Sequence, residues 1–135
     1  MKTTNFENSK KLAEIGFKAD TKNWWMLSAF NEPTHQLKTY NRFEDYVGDN
    51  YRAYDLETIL EALPKTLTID ERRPTICHIK LKIFFDVDGK NYIGYQSFEG
   101  FHPKLTLEQG NESLVDTAAR LLIALHEADL INFNK

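Results

Sequence analysis

Apolar residues recur with a helical period near the end of the chain. Between Asn111 and Asp129 they stand at 114, 115, 118, 119, 121, 122 and 125. At about 100° per residue these positions cover half the circumference of a helix. Asp116, Thr117, Arg120 and Glu127 fall on the other side, which predicts a solvated face for them. An apolar face this broad needs a broad partner, most simply a sheet. A shorter run over Leu56, Ile59, Leu60 and Leu63 has the same i, i+3, i+4, i+7 spacing, with Asp55 as its cap and Pro64 as its stop. A third helix is predicted over Ser9–Ile15, capped by Asn8 or Ser9. Leu12 and Ile15 face inward, Gly16 takes the left-handed position after the last turn, and Phe17 folds back on the helix end.

Elsewhere the period is two. Cys77, Ile79, Leu81, Ile83, Phe85 and Val87 alternate with His78, Lys80, Lys82, Phe84 and Asp86, the signature of a strand with one face in the core. Asp88-Gly89 supplies a turn, and Asn91–Phe98 returns. A two-residue loop at Asp88-Gly89 sets Phe85 opposite Tyr92 and Ile83 opposite Gly94. A three-residue loop, Val87-Asp88-Gly89, sets Ile83 opposite Ile93 and Leu81 opposite Tyr95, and puts Gly89 where a left-handed residue is needed. The three-residue loop is favoured. Trp24–Phe30 reads as a strand, Asn31-Glu32-Pro33 as a turn, and His35–Phe43 as a returning strand. Lys18–Asn23 and Gly100–Gly110 read as connections. The expected fold is a single α+β domain over residues 1–135, with a mainly antiparallel sheet and helices packed on one face in two layers.

Composition narrows the function more than it defines it. At 135 residues, with 41 % apolar and 27 % charged positions, the chain can bury a core without disulfides or metal. A net charge of −3 argues against a nucleic-acid binder, which carries a basic stripe. One cysteine, Cys77, allows neither an internal disulfide nor a thiolate zinc cluster. The polar start MKTTNFENSKK lacks a signal core, and no apolar run approaches the ~20 residues that span a bilayer. The expectation is a cytoplasmic protein with no membrane contact.

Catalytic signatures are weak. His35, His78, His102 and His126 form no ligand-spaced pair, and His126 sits at the edge of an apolar helix face, as a structural histidine does. Cys77 and His78 are adjacent, but successive strand residues point to opposite faces and cannot pair. Asp86–Asn91 looks superficially like a calcium loop, yet glycine stands fourth and Ser97 twelfth, where an EF-hand needs glycine sixth and glutamate twelfth. Nucleophile-elbow, Walker and dinucleotide motifs are absent. No catalytic residue, metal ligand or cofactor is assigned. Many active sites assemble from distant residues, so a small enzyme of that kind stays open as the alternative.

The stretch from Tyr40 to Tyr54 looks unlike scaffold. Tyr40, Phe43, Tyr46, Tyr51 and Tyr54 interleave with Arg42, Glu44, Asp45, Asp49 and Arg52. Aromatic and arginine residues are the usual anchors of protein interfaces. Trp24 and Trp25 join them, because neighbours on a strand cannot both face one core. These seven rings are the candidate binding residues, with at least two expected exposed and adjacent. The competing reading is that the rings cover the sheet ends and the middle helix.

The segments KKLAEIGF, YRAYDLETILEALPKTL, YIGY and NESLVDTAARLLIALHEADLI together resemble a family of small hypothetical proteins, often carried by phages and prophages of gut Bacteroidetes. The resemblance spans most of the chain, but its motifs are structural and transfer no functional residue. It implies an accessory protein of a mobile element. The expected function is therefore non-enzymatic: binding of a protein partner through an aromatic, mildly acidic surface.

Overall fold

Ser113 caps the last helix, its hydroxyl accepting from the Asp116 N–H and donating to the Asp116 carboxylate. The computed structural model describes residues 2–27, 34–43, 45–46, 48–70, 76–85, 89–97, 100–131 and 133, and this helix is one of three among them. The order is α1 (Phe6–Glu14), β1 (Asn23–Leu27), β2 (His35–Thr39), β3 (Tyr51–Ala53), α2 (Leu56–Ala62), β4 (Thr66–Asp70), β5 (Ile76–Phe85), β6 (Asn91–Ser97), β7 (Gly100–Glu108) and α3 (Leu114–Glu127). The strands form two antiparallel sheets, ordered β2-β1-β3 and β4-β5-β6-β7. The α+β class is as expected, with the strands shared between two sheets.

The core lies where α3 meets β6 and β7, with α1 and α2 packed along the same helix. Leu121, Leu122, Leu125, Ala118 and Ala119 are buried, as the wheel predicts, and so are Ile59 and Leu63 of α2. Leu114 is half-buried. Tyr95 on β6 is buried and donates its hydroxyl to the Pro64 carbonyl at 2.7 Å, tying the four-stranded sheet to the end of α2. Burial pushes the Tyr95 phenol well above its ordinary range.

Two residues expected on the solvated side of α3 are buried: Asp116 and Thr117. The chain start covers Asp116, and the residues just before α3 satisfy Thr117. The Asp116 carboxylate accepts from the Asn5 N–H at 2.8 Å and the Asn8 amide at 3.0 Å, and the Thr117 hydroxyl donates to Glu112 and to the Ser113 carbonyl. Thr4 is fully buried beside them and bonds Ser9 and both backbone groups of Tyr54. α1 therefore begins three residues earlier than expected, with Asn5 as its cap in place of Asn8 or Ser9. Its other end follows expectation. Gly16 has φ +89°, and the N–H groups of Phe17 and Gly16 bond the carbonyls of Leu12 and Ala13.

The β5–β6 register is the three-residue-loop one, with Ile83 opposite Ile93 and Leu81 opposite Tyr95. Gly89 has φ +83°, and a Cβ there would meet open space, so a substitution is opposed by backbone strain alone. Gly89→Val is expected to lower stability by ~1–2 kcal/mol, read as a lowered denaturation midpoint. The rest of that loop, Val87-Asp88, lies outside the described residues, as does the Asn31-Glu32-Pro33 turn. The side chains of Cys77, His78 and His102 lie outside them too.

Three expectations about strands change. Gly100–Glu108 is an edge strand, not a connection, and β3 and β4 add pairings that the pattern did not predict. β2 ends at Thr39, short of the expected Phe43, and β1 is described over Asn23–Leu27, with the expected remainder, 28–30, outside the described residues. The inward face of β5 also ends early: Ile79 is buried and Leu81 half-buried, but Ile83 is 39 % and Phe85 75 % exposed. The β5–β6 hairpin runs past the helices that would have covered it.

Candidate protein interface

The three-stranded sheet carries the ring-rich part of the chain, and strand alternation divides the rings. Trp24 lies opposite Lys38 and Arg52, whereas Trp25 lies opposite Leu37 and Tyr51. The two tryptophans thus serve opposite faces, as neighbours on a strand must.

Trp24 is buried on the first face. The Tyr46 ring meets it edge-on at 5.0 Å, and the Arg52 guanidinium lies over it at 4.8 Å. Arg52 is held in place by an ion pair with Asp45, which Lys18 also approaches at 3.8 Å. Tyr40 packs on Tyr46, and the Lys22 ammonium lies over Phe43, which is 59 % exposed. Described residues between β2 and β3 thus cover this face. The Trp24 indole nitrogen has no hydrogen-bond partner among the described residues.

The second face is more open. Phe6 from α1 packs against Trp25, His35 and Tyr51 within 6.2 Å between ring centres, and the Trp25 indole donates to the Thr4 carbonyl at 3.1 Å. Beyond this cluster the sheet continues into solvent. Leu37, across from Trp25, is 44 % exposed, and Leu27, across from His35, is 40 % exposed.

Of the seven candidate rings, Trp24 and Tyr54 are buried and contribute no surface. Trp25, Tyr40, Tyr46 and Tyr51 are half-buried, and Phe43 alone is well exposed. The expectation of two exposed neighbouring rings is thus not met. The exposed apolar neighbours are Leu27 and Leu37, which share their sheet face with their cross-strand partners His35 and Trp25. Sequence reasoning missed both, together with Phe6 and His35. The signal was available in part: Trp25, Leu27, His35 and Leu37 share a face once β1 and β2 are paired in this register.

Tyr54 belongs to the core, between Phe17 at 4.9 Å and the backbone of the first helix connection. Burial pushes its phenol up to about 12, against smaller opposing effects of the Ala19 backbone and the Arg52 charge. An unfolded tyrosine ionises near pH 10. The contribution of Tyr54 to stability is therefore fully present below pH 10 and lost as pH rises to about 12. A phenolate absorbance titration should show a tyrosine ionising late, near pH 12, with the denaturation midpoint falling as pH rises from 10 towards 12.

Two cavities lie away from the open face of the three-stranded sheet. A groove of about 610 Å³ between α2 and α3 is lined by Leu56, Leu60, Leu114 and Val115, with Glu57, Glu61, Lys2 and Lys65 at its margin. A polar hollow of about 480 Å³ lies beside Phe43, with Asp20, Lys22, Asn23 and Thr58 in its walls. Among the described residues no group of three His, Cys, Asp or Glu is placed to hold a metal ion, and no helix is long and apolar enough to cross a membrane. No protein-family model, curated protein or solved structure matches the chain.

Proposed function

We propose that this is a non-enzymatic accessory protein of the phage or mobile-element type, acting in the cytoplasm by binding a protein partner. The contact surface is the open face of the three-stranded sheet, where Leu27 and Leu37 stand exposed beside Trp25 and His35, and His35 packs on Tyr51. That juxtaposition carries the reading. Exposed leucines cost little in a partner-free state when scattered singly, but here they adjoin rings already fixed by Phe6 and the Thr4 carbonyl. A partner covering them would bury apolar area against side chains that have little rotamer freedom left to lose. The net charge of −3 makes the molecule as a whole mildly acidic and favours a partner with a basic rim.

The test is capture from a bacterial lysate with tagged protein, comparing wild type with Leu27→Asp/Leu37→Asp. Both positions are exposed, so the pair should leave the fold intact. A captured protein that disappears with the double variant supports the reading. Capture unchanged by the double variant overturns it.

A further inference from the structure

β2 is an outer strand of the three-stranded sheet, with β1 on its one paired side. No other element among the described residues packs along it. Gln36, Leu37, Lys38 and Thr39 are exposed in succession, so the strand is open on both faces as well as at its edge. The Tyr40 N–H donates to the Lys22 carbonyl at 2.8 Å, which continues the β1–β2 ladder by one pair. Backbone groups alternate sides along a strand, so Gln36 and Lys38 turn theirs to β1 as Tyr40 does. His35, Leu37 and Thr39 turn theirs outward. The same alternation holds on β1, where the Leu27 N–H turns away from β2 and bonds Asn50 Oδ1, just ahead of β3, at 3.0 Å. Among the described residues nothing bonds the outward backbone groups of His35, Leu37 and Thr39. An open main-chain edge of this kind is a template for another strand.

We propose that a second copy of this chain occupies that edge, its β2 pairing antiparallel with this one about a two-fold axis at Leu37. The strand is its own complement about that axis. Leu37 faces Leu37 of the second copy, His35 faces Thr39, and Gln36 faces Lys38. Hydrogen bonding fits. The pairs that must exchange N–H and C=O, Leu37 with Leu37 and His35 with Thr39, are those whose backbone groups turn outward. Charge fits too, since no like charges stand opposite one another. An axis at Lys38 would set that lysine across from itself and, like an axis at Gln36, would leave part of each strand unpaired. The joint makes one sheet of two, with Trp25 and Leu37 of one copy in a row with Leu37 and Trp25 of the other. Five residues per strand is small against the ~1,200–2,000 Å² of lasting interfaces, so the dimer is weak and concentration-dependent. It does not depend on the partner protein proposed above.

Sedimentation velocity over a concentration series reads the dimer directly. Wild type should pass from monomer to dimer as concentration rises towards the millimolar range. Leu37→Pro removes an N–H that faces the open edge, leaves the β1–β2 bonds whole, and should weaken the dimer about tenfold or more. Gln36→Lys sets like charges across the joint twice and should weaken it too, whereas Gln36→Glu sets opposite charges there and should tighten it. Gln36 is exposed and turns to the face opposite Leu27 and Leu37. Its two variants therefore test the joint even if proline disturbs the strand, and without touching the surface proposed for the partner. In a Cys77→Ala background, Leu37→Cys should oxidise in air to a disulfide dimer, because paired Cα atoms about 5.5 Å apart suit that bond. Gln36→Cys should not, because its counterpart stands a diagonal step away. Wild type that stays monomeric throughout overturns the proposal. So does a dimer equally strong in Leu37→Pro and both Gln36 variants, or cross-linking from Gln36→Cys in preference to Leu37→Cys.

Discussion

Gly94→Ala is expected to be the most damaging single methyl in the protein. A Cβ on Gly94 would stand 2.5 Å from the Thr106 Cα and 2.6 Å from the Leu105 carbonyl oxygen. Both are backbone atoms of the paired strand β7, so no rotamer change relieves the clash. β6 and β7 must separate at the point where their register already shifts, between Gly94 and Gln96. Overpacking of a core costs ~1–3 kcal/mol when side chains can adjust. Here they cannot, and the loss should reach or exceed the top of that range. A total stability of ~5–15 kcal/mol leaves little margin for it. Urea denaturation should show a sharply lowered midpoint; a wild-type midpoint would mean that β7 does not lie against Gly94.

Leu122→Ala should cost ~2–5 kcal/mol by lost transfer energy and the cavity left behind. Leu122 is fully buried in the middle of α3, the helix that touches α1, α2 and the four-stranded sheet. Each neighbour is held by others, so collapse into the void is restricted and the upper half of the range is expected. The matching control is Arg120→Ala on the exposed side of the same helix. It should shift the midpoint by less than ~1 kcal/mol, since its ion pair with Glu112 is partly solvated.

What could be read from the sequence follows from how far each signal reaches along the chain. α2 and α3 carry their apolar period within a few turns, and β5 and β6 carry alternation long enough to fix their register. Thr4 and Asp116 gave no such signal. Their burial depends on partners up to 111 positions away, and short polar residues look the same in a loop as in a satisfied core. β7, which reads as a connection in the sequence, contains Pro103, and an edge strand tolerates proline where a central one does not. β3 has three residues, too few for a period to show.

The candidate surface was legible to the same extent. Parity alone separates Trp24 from Trp25, and the structure keeps that division. Parity could not say which face would be covered. That was decided by Tyr46 and the Arg52–Asp45 pair on one side and by Phe6 of α1 on the other. Leu27 and Leu37 ended more exposed than every candidate ring except Phe43.

The most direct measurement of that role is site-specific photo-cross-linking in cells. A photoreactive residue at position 37, on the open sheet face, is compared with one at exposed position 57, at the margin of the α2–α3 groove. The account predicts a defined protein adduct from position 37 and none from position 57. The same adduct from both positions, or an adduct from position 57 alone, would contradict it.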